Sequence, residues 1–198
     1  FIYLKNFGYR VSFAAPDNSG IIPPGEIERL ITPETLLVSI MHANNETGVI
    51  MPVEEIGAFC KEKGVIFHID GVQAAGKIPV DVKKLNCDLY SISAHKFHGP
   101  KGIGALYVRK GSRMRPMIFG GHQEKGRRPG TENIPGIVGM GKAAEMALDH
   151  LKDMAGVAKL RDKLQENILK TIKTSTVNGL NAPRTPNTLN VSFEFIEG

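Results

Sequence analysis

VIFHIDGVQ at residues 65–73, followed by LYSISAHKFHGPK at 89–101, is the stretch from which the rest of the chain can be read. Val65 to Ile69 is a short apolar, largely β-branched run after a glycine, which predicts a buried strand whose carboxyl end delivers Asp70. Leu89 to Ser93 predicts a second strand, which delivers His95 and Lys96. A carboxylate and an amine therefore meet at one edge of one sheet. In open α/β sheets ligands bind at that edge, outside the carboxyl ends of the strands.

The residue types narrow the chemistry. A lysine at a strand end, flanked by Ser93 and His95 and followed by Gly99 and Gly102, suits an amine that forms a Schiff base with a carbonyl cofactor. Pyridoxal 5'-phosphate needs a carboxylate against its ring nitrogen so that the ring stays protonated and accepts electrons. Asp70 can supply it, and Gln73 can hydrogen-bond the 3'-oxygen of the ring. His68 shares a strand face with Asp70 by the period of two, and it reads as a core histidine that orients Asp70.

Four separated motifs, MHANNETG at 41–48, HIDGVQ at 68–73, SAHKFHGPKG at 93–102 and RPGTEN at 128–133, together resemble the NifS/IscS-like cysteine desulfurases. These are pyridoxal-phosphate enzymes of the class V aminotransferase fold, and the resemblance runs from about Thr35 to the C-terminus. It implies an α/β chain of the fold type I transferase kind, with a mixed, mainly parallel sheet flanked by helices. Residues 1–152 would be part of the large cofactor-binding domain, and 153–198 the beginning of a smaller α+β C-terminal domain.

The resemblance also implies roles. Lys96 would be the catalytic residue that carries the cofactor, Ser93 and His95 would bind its phosphate, and Asn45 would lie over it and help to hold the substrate carboxylate. Thr131 would cross a homodimer interface to the phosphate of the partner's cofactor. The implied activity takes sulfur from L-cysteine, giving L-alanine and an enzyme persulfide for iron-sulfur cluster assembly or other sulfur transfer to an acceptor or scaffold protein. Alternatives are a selenocysteine lyase, a class V aminotransferase or a catalytically incomplete subunit. The nucleophilic cysteine loop is expected beyond Glu197 and Gly198, and Phe1 reads as the tail of an element already under way, so a fragment is expected.

Composition sets the outer bounds. The 198 residues are 41% hydrophobic and 23% charged, ordinary values for a globular protein. There is no run of 18 apolar residues, so no membrane span is expected, and neither an initiator Met nor a signal peptide is present. With two cysteines a reducing compartment is the default, and the expectation is a cytoplasmic protein, or a mitochondrial one in a eukaryote. The net charge of +5 comes from Lys and Arg interleaved with Asp and Glu, which argues for an anion-binding site rather than nucleic acid. Cys60 and Cys87 are too few for a disulfide framework or a metal cluster, and no third ligand joins His95 and His98. GVQAAGKI at 71–78 matches a phosphate-binding loop until Ile78 replaces the Ser or Thr that would hold Mg²⁺, and Asp70 would repel the phosphate.

The remaining elements follow in order. Phe1 to Phe7 predicts a helix end closed by Gly8, Arg10 to Ala14 a strand, and 16–20 a turn. Ile27, Leu30 and Ile31 predict a helix, Thr35 to Met41 a strand, and Pro52 to Gly64 a crossover helix with Val53, Ile56 and Cys60 on one face. Gly102 to Val108 predicts an antiparallel return strand. After a Gly- and Arg-rich loop at 120–133, one helix runs from Pro135 to about Met154, and a second carries Leu160, Leu164, Ile168 and Ile172. Residues 178–187 read as an irregular link before a strand over Leu189 to Phe195.

Overall fold

The computed structural model describes residues 1–112 and 114–196; Glu197 and Gly198, beyond which the cysteine loop is expected, lie outside the described residues. Four strands form the main sheet, β1 (Leu37–Met41), β2 (Ile66–Asp70), β3 (Leu89–Ser93) and β4 (Gly104–Val108), in the order β1-β2-β3-β4. The first two pairings are parallel and β3 pairs β4 antiparallel, the mixed sheet the sequence predicts. Register places Met41 opposite Asp70 and Asp70 opposite Ser91, so successive strands end at one edge.

Helix α1 (Pro24–Leu30) packs against helix α2 (Val53–Lys63), and α2 packs against β2. Glu54 and Glu55 in the first turn of α2 and Lys61 and Lys63 in the last complement the helix dipole, and Gly64 ends it at a left-handed φ of 67°. Its buried face, Val53, Ile56, Gly57 and Cys60, meets Ile40, Phe67, Ile69, Leu85 and Tyr90 in the main core. Gly57 is required there, since a Cβ on it would lie 2.1 Å from the carbonyl oxygen of Leu85. Burying side chains such as Phe67 and Ile56 stabilises the fold by roughly 1.5–3 kcal/mol each.

Three expectations are corrected. Arg10 to Ala14 is not a strand: no backbone hydrogen bond of the described residues ties it to a neighbour, and an extended segment without a ladder partner is not a strand. The two helices expected after residue 134 are one, α4 (Ile134–Thr171), of 38 residues. Gly156 costs a helix only about 1 kcal/mol, too little to break it, and Leu160 and Leu164 are 70% and 54% exposed, so their four-residue spacing marks an outer face, not a separate core. The last strand, β6, spans only Val191–Phe193, because Phe195 turns to a left-handed φ of 63°.

Some features were not foreseen. A short strand β5 (Ser175–Val177) pairs antiparallel with β6 in a second, two-stranded sheet. A one-turn element α3 (Gln123–Gly126) carries Glu124 and Lys125 at left-handed φ of 51° and 58°. Residues 2–7 form a 3₁₀ helix closed by Gly8, as the glycine suggested.

Candidate cofactor site

β3 does not run on into an α-helix. Ser93 is the N-cap of a single 3₁₀ turn, Ala94–Phe97, that ends at His98 with a left-handed φ of 69°. Ala94 and Phe97 point inward and pack with Ala143 of α4, so the alternate positions, His95 and half-buried Lys96, are left at the sheet edge. Gly99 allows the tight return, since a Cβ there would lie 2.8 Å from that of Ala94. The Ser93 hydroxyl and His95 Nδ1 are 2.8 Å apart.

Asp70 ends β2 with its carboxylate exposed; Oδ1 accepts the Val72 N–H at 3.0 Å. No other hydrogen bond to Asp70's side chain exists among the described residues, so Oδ2 is free for a ligand. The chain then winds through turns over 71–77 instead of forming a phosphate loop, with the Ala74 and Ala75 N–H groups both donating to the Gly71 carbonyl at 3.0 Å. Gly71 is obligatory because a Cβ would overlap the Tyr90 ring, at 1.9 Å from one of its carbons. Gln73 sits on these turns with Oε1 2.8 Å from Lys77 Nζ.

His68 is satisfied, but not by Asp70. Its Nδ1 lies 2.7 Å from Ser39 Oγ and its Nε2 2.9 Å from Ser91 Oγ, a hydroxyl–imidazole–hydroxyl chain across three strands. Burial lowers its pKa and the Asp70 charge opposes the shift, so Asp70 acts on it through space. On the other face His42 Nδ1 meets the Tyr90 hydroxyl at 2.9 Å. Burial holds His42 down to about 4 and pushes the Tyr90 phenol up.

Asn45 sits at the tip of a hairpin that follows β1. Ala43 bridges Ile50, and Asn44 Oδ1 accepts from the Glu46 and Thr47 N–H groups at 2.9 Å each. The base of the hairpin is anchored by residues 183–185, with the Ile50 N–H donating to the Pro183 carbonyl and the Thr185 N–H to the Gly48 carbonyl, both at 2.8 Å. Asn45 itself is exposed and, among the described residues, its side chain makes no hydrogen bond; Asn44 holds the loop. Thr131 is exposed on the loop before α4, where Gln123 Oε1 accepts the Gly130 N–H at 3.2 Å and Asn133 caps the helix.

The structure thus gathers Asp70, Gln73, Ser93, His95 and Lys96 at one sheet edge, with Asn45 on the adjoining hairpin. No hydrogen bond among the described residues links Thr131 to them. The sequence reading passed over Lys77, although its spacing of four from Gln73 on a helical turn is a contact spacing. Cys60 and Cys87 are fully buried, and burial raises both thiols, Cys60 to about 11. Neither belongs to this edge.

The mixed α/β sheet, with its parallel strands ending at one edge, has the fold type I architecture, and that edge offers a lysine, a free carboxylate and a hydroxyl–imidazole pair. The chain belongs to the class-V aminotransferase family, whose model matches residues 3–198. It is 50% identical over 195 residues to cysteine desulfurase 2 of Trichormus variabilis, covering 98% of this chain and 49% of that protein. It is 52% identical over 196 residues to a cysteine desulfurase of a Nostoc species, with 98% and 49% covered. A solved NifS-like protein superposes with a TM-score of 0.91 at 44% identity, covering 98% of this chain and 54% of that one. The chain spans about half the length of the curated relatives it matches.

Proposed function

We propose that this chain is part of a pyridoxal-phosphate-dependent cysteine desulfurase, which takes sulfur from L-cysteine and leaves L-alanine. The observation that carries the reading is the half-buried Lys96 on a 3₁₀ turn at the end of β3, beside a strand that ends in Asp70. The donor set fits the cofactor: one amine to attach it, one carboxylate with a free oxygen for its ring nitrogen, and a hydroxyl–imidazole pair for its phosphate. When bound, the cofactor supplies an electron sink for a substrate carbanion.

The residues of the chain then have separate tasks. Lys96 Nζ would hold the cofactor and would be the amine placed to take the proton from the substrate Cα. Asp70 Oδ2 keeps a proton on the ring nitrogen. Gln73 donates to the 3'-oxygen, Ser93 and His95 hold the phosphate, and Asn45 orients the substrate carboxylate from its hairpin tip. Buried Cys60 and Cys87 are not the sulfur-accepting thiol, which is supplied from elsewhere in the full-length protein.

The same reading assigns a homodimer in which Thr131 reaches the phosphate of the partner's cofactor, an acceptor or scaffold protein for the sulfur, and a cytoplasmic location. No helix among the described residues is long and apolar enough to cross a membrane. Residues 153–198 begin the smaller domain, with α4 continuous from one unit into the other.

In the full-length protein, Lys96→Ala abolishes fixation of the cofactor by borohydride, whereas Lys101→Ala retains it. Fixation at an unchanged level in Lys96→Ala would remove Lys96 from the reaction. Mixing Lys96→Ala with Thr131→Ala chains tests the dimer: in the heterodimer the single intact Lys96 faces the native Thr131 loop and regains native cofactor affinity. An affinity no better than that of the Thr131→Ala homodimer would refute the crossing.

A further inference from the structure

Beside Lys96 stands a second lysine that the proposed function does not use. Lys77 closes the turns after Asp70, is half-buried, and its Nζ lies 2.8 Å from Gln73 Oε1. The turn that carries it is locked to the turn that carries Lys96. Gly76, at a left-handed φ of 76°, lets the backbone approach Phe97 so closely that a Cβ would lie 2.7 Å from the Phe97 Cβ and 3.5 Å from that of Ala147. Burial, and after it the Lys96 charge, lower the Lys77 pKa, so the two amines share one electrostatic environment.

An ammonium has three donors and no acceptor, so it can face only the oxygen of a carboxamide. The contact therefore settles which way the Gln73 amide is turned. With Oε1 occupied by Lys77, the group left to a ligand is the Nε2 amide, a donor for which no hydrogen bond exists among the described residues. An unclamped glutamine could present either atom and could choose among several rotamers, at a cost in side-chain entropy when it binds.

We infer that Lys77 is a positioning residue, an ammonium clamp on Gln73 that makes its amide present only a donor to the ligand bound at Lys96. This rests on the proposed cofactor for the ligand's identity, but the clamp itself belongs to the protein alone. A ligand atom held there must be an acceptor, and an anionic oxygen such as the 3'-oxygen of pyridoxal phosphate is the best of these. What the clamp requires is a charged donor: Lys77→Arg can still donate to Oε1, and Lys77→Met fills nearly the same space without a donor.

The experiment has two arms on the full-length protein. In the cofactor-free form, the Gln73 side-chain amide resonances are followed by NMR in the wild type, Lys77→Met and Lys77→Arg. Lys77→Met shifts and averages them, and Lys77→Arg leaves them close to native; resonances untouched by Lys77→Met overturn the clamp. In the second arm, pyridoxal phosphate is added and its visible absorption maximum and dissociation constant are read for Gln73→Ala, Lys77→Met and the double variant. Lys77→Met moves the maximum in the same direction as Gln73→Ala and weakens binding about 5- to 10-fold, the scale of one ordinary net hydrogen bond. The double variant is no weaker than Gln73→Ala alone, because Lys77 acts through Gln73. Independent, additive losses overturn the inference. If the wild type bound no pyridoxal phosphate while the first arm held, the proposed function would fail and the clamp would stand.

Discussion

The two faces of the main sheet do different work with the same strands. On the covered face Val38, Ile40, Phe67, Ile69, Tyr90 and Ile92 meet α2 and the loops around it, and Phe67 and Ile69 are fully buried. On the other face Leu37, Met41, Ile66 and Leu106 are each more than a third exposed. Between these residues run the Ser39–His68–Ser91 chain and, at the edge, Asp70. One face holds the fold by packing, while the other gives its alternate positions to polar groups that bond across the strands and, at the edge, to Asp70. Strand period two lets five residues of β2 serve both ends.

Stability measurements can break this contrast. Phe67→Ala should destabilise by ~3–5 kcal/mol, the cost of a large buried side chain and its cavity. Ile66→Ala, one residue earlier on the same strand, should cost roughly 1 kcal/mol or less because its side chain is already partly in water. Denaturant titrations compare the two, and equal losses would show that both faces are packed alike.

A second measurement sharpens it through pH. Burial keeps His42 neutral down to about 4, below its ordinary 6.5, so between those values the unfolded chain binds more protons than the folded one. Stability is therefore full above pH 6.5 and falls as the pH drops toward 4, by about 3 kcal/mol for a shift of this size. His42→Gln should flatten that slope. His68 is shifted in the same direction but Asp70 opposes it, so His68→Gln should flatten the slope less. A larger effect from His68 would reverse the ranking of the two faces.

Much of this arrangement could be read in advance, and the gaps have physical causes. The β1-α2-β2 crossover and the antiparallel return of β4 followed from apolar runs, a capped helix and loop length, all local signals. So did the placement of Asp70 and Lys96 at one edge. The interior of α4 misled, because exposed Leu160 and Leu164 imitate a buried stripe, and only tertiary contacts tell the two apart. β5 is three residues long and exists by virtue of its pairing with β6, so it has no signature of its own. His68 was rightly read as satisfied but wrongly as orienting Asp70, to which it makes no hydrogen bond; its partners come from β1 and β3, whose registers no single strand encodes. The Gln73–Lys77 contact was hidden because the segment imitated a phosphate loop.

Helix α4 touches both halves of the site without contributing to it. Ala143 and Ala147 abut the turn of Lys96 through Phe97 and Gly76, while Arg161 donates to the Thr185 carbonyl at 2.9 Å and Gln165 accepts from Arg184 at 2.6 Å. Thr185 in turn grips Gly48 at the foot of the Asn45 hairpin. At about 1.5 Å per residue, the stretch from 143 to 161 is a calliper roughly 27 Å long. Its jaws rest on the lysine turn and on the hairpin's anchor, so an inserted or deleted residue between them would rotate one jaw by about 100° against the other. The spacing between amine and asparagine is thereby gauged by a helix whose own sequence shows no sign of the chemistry.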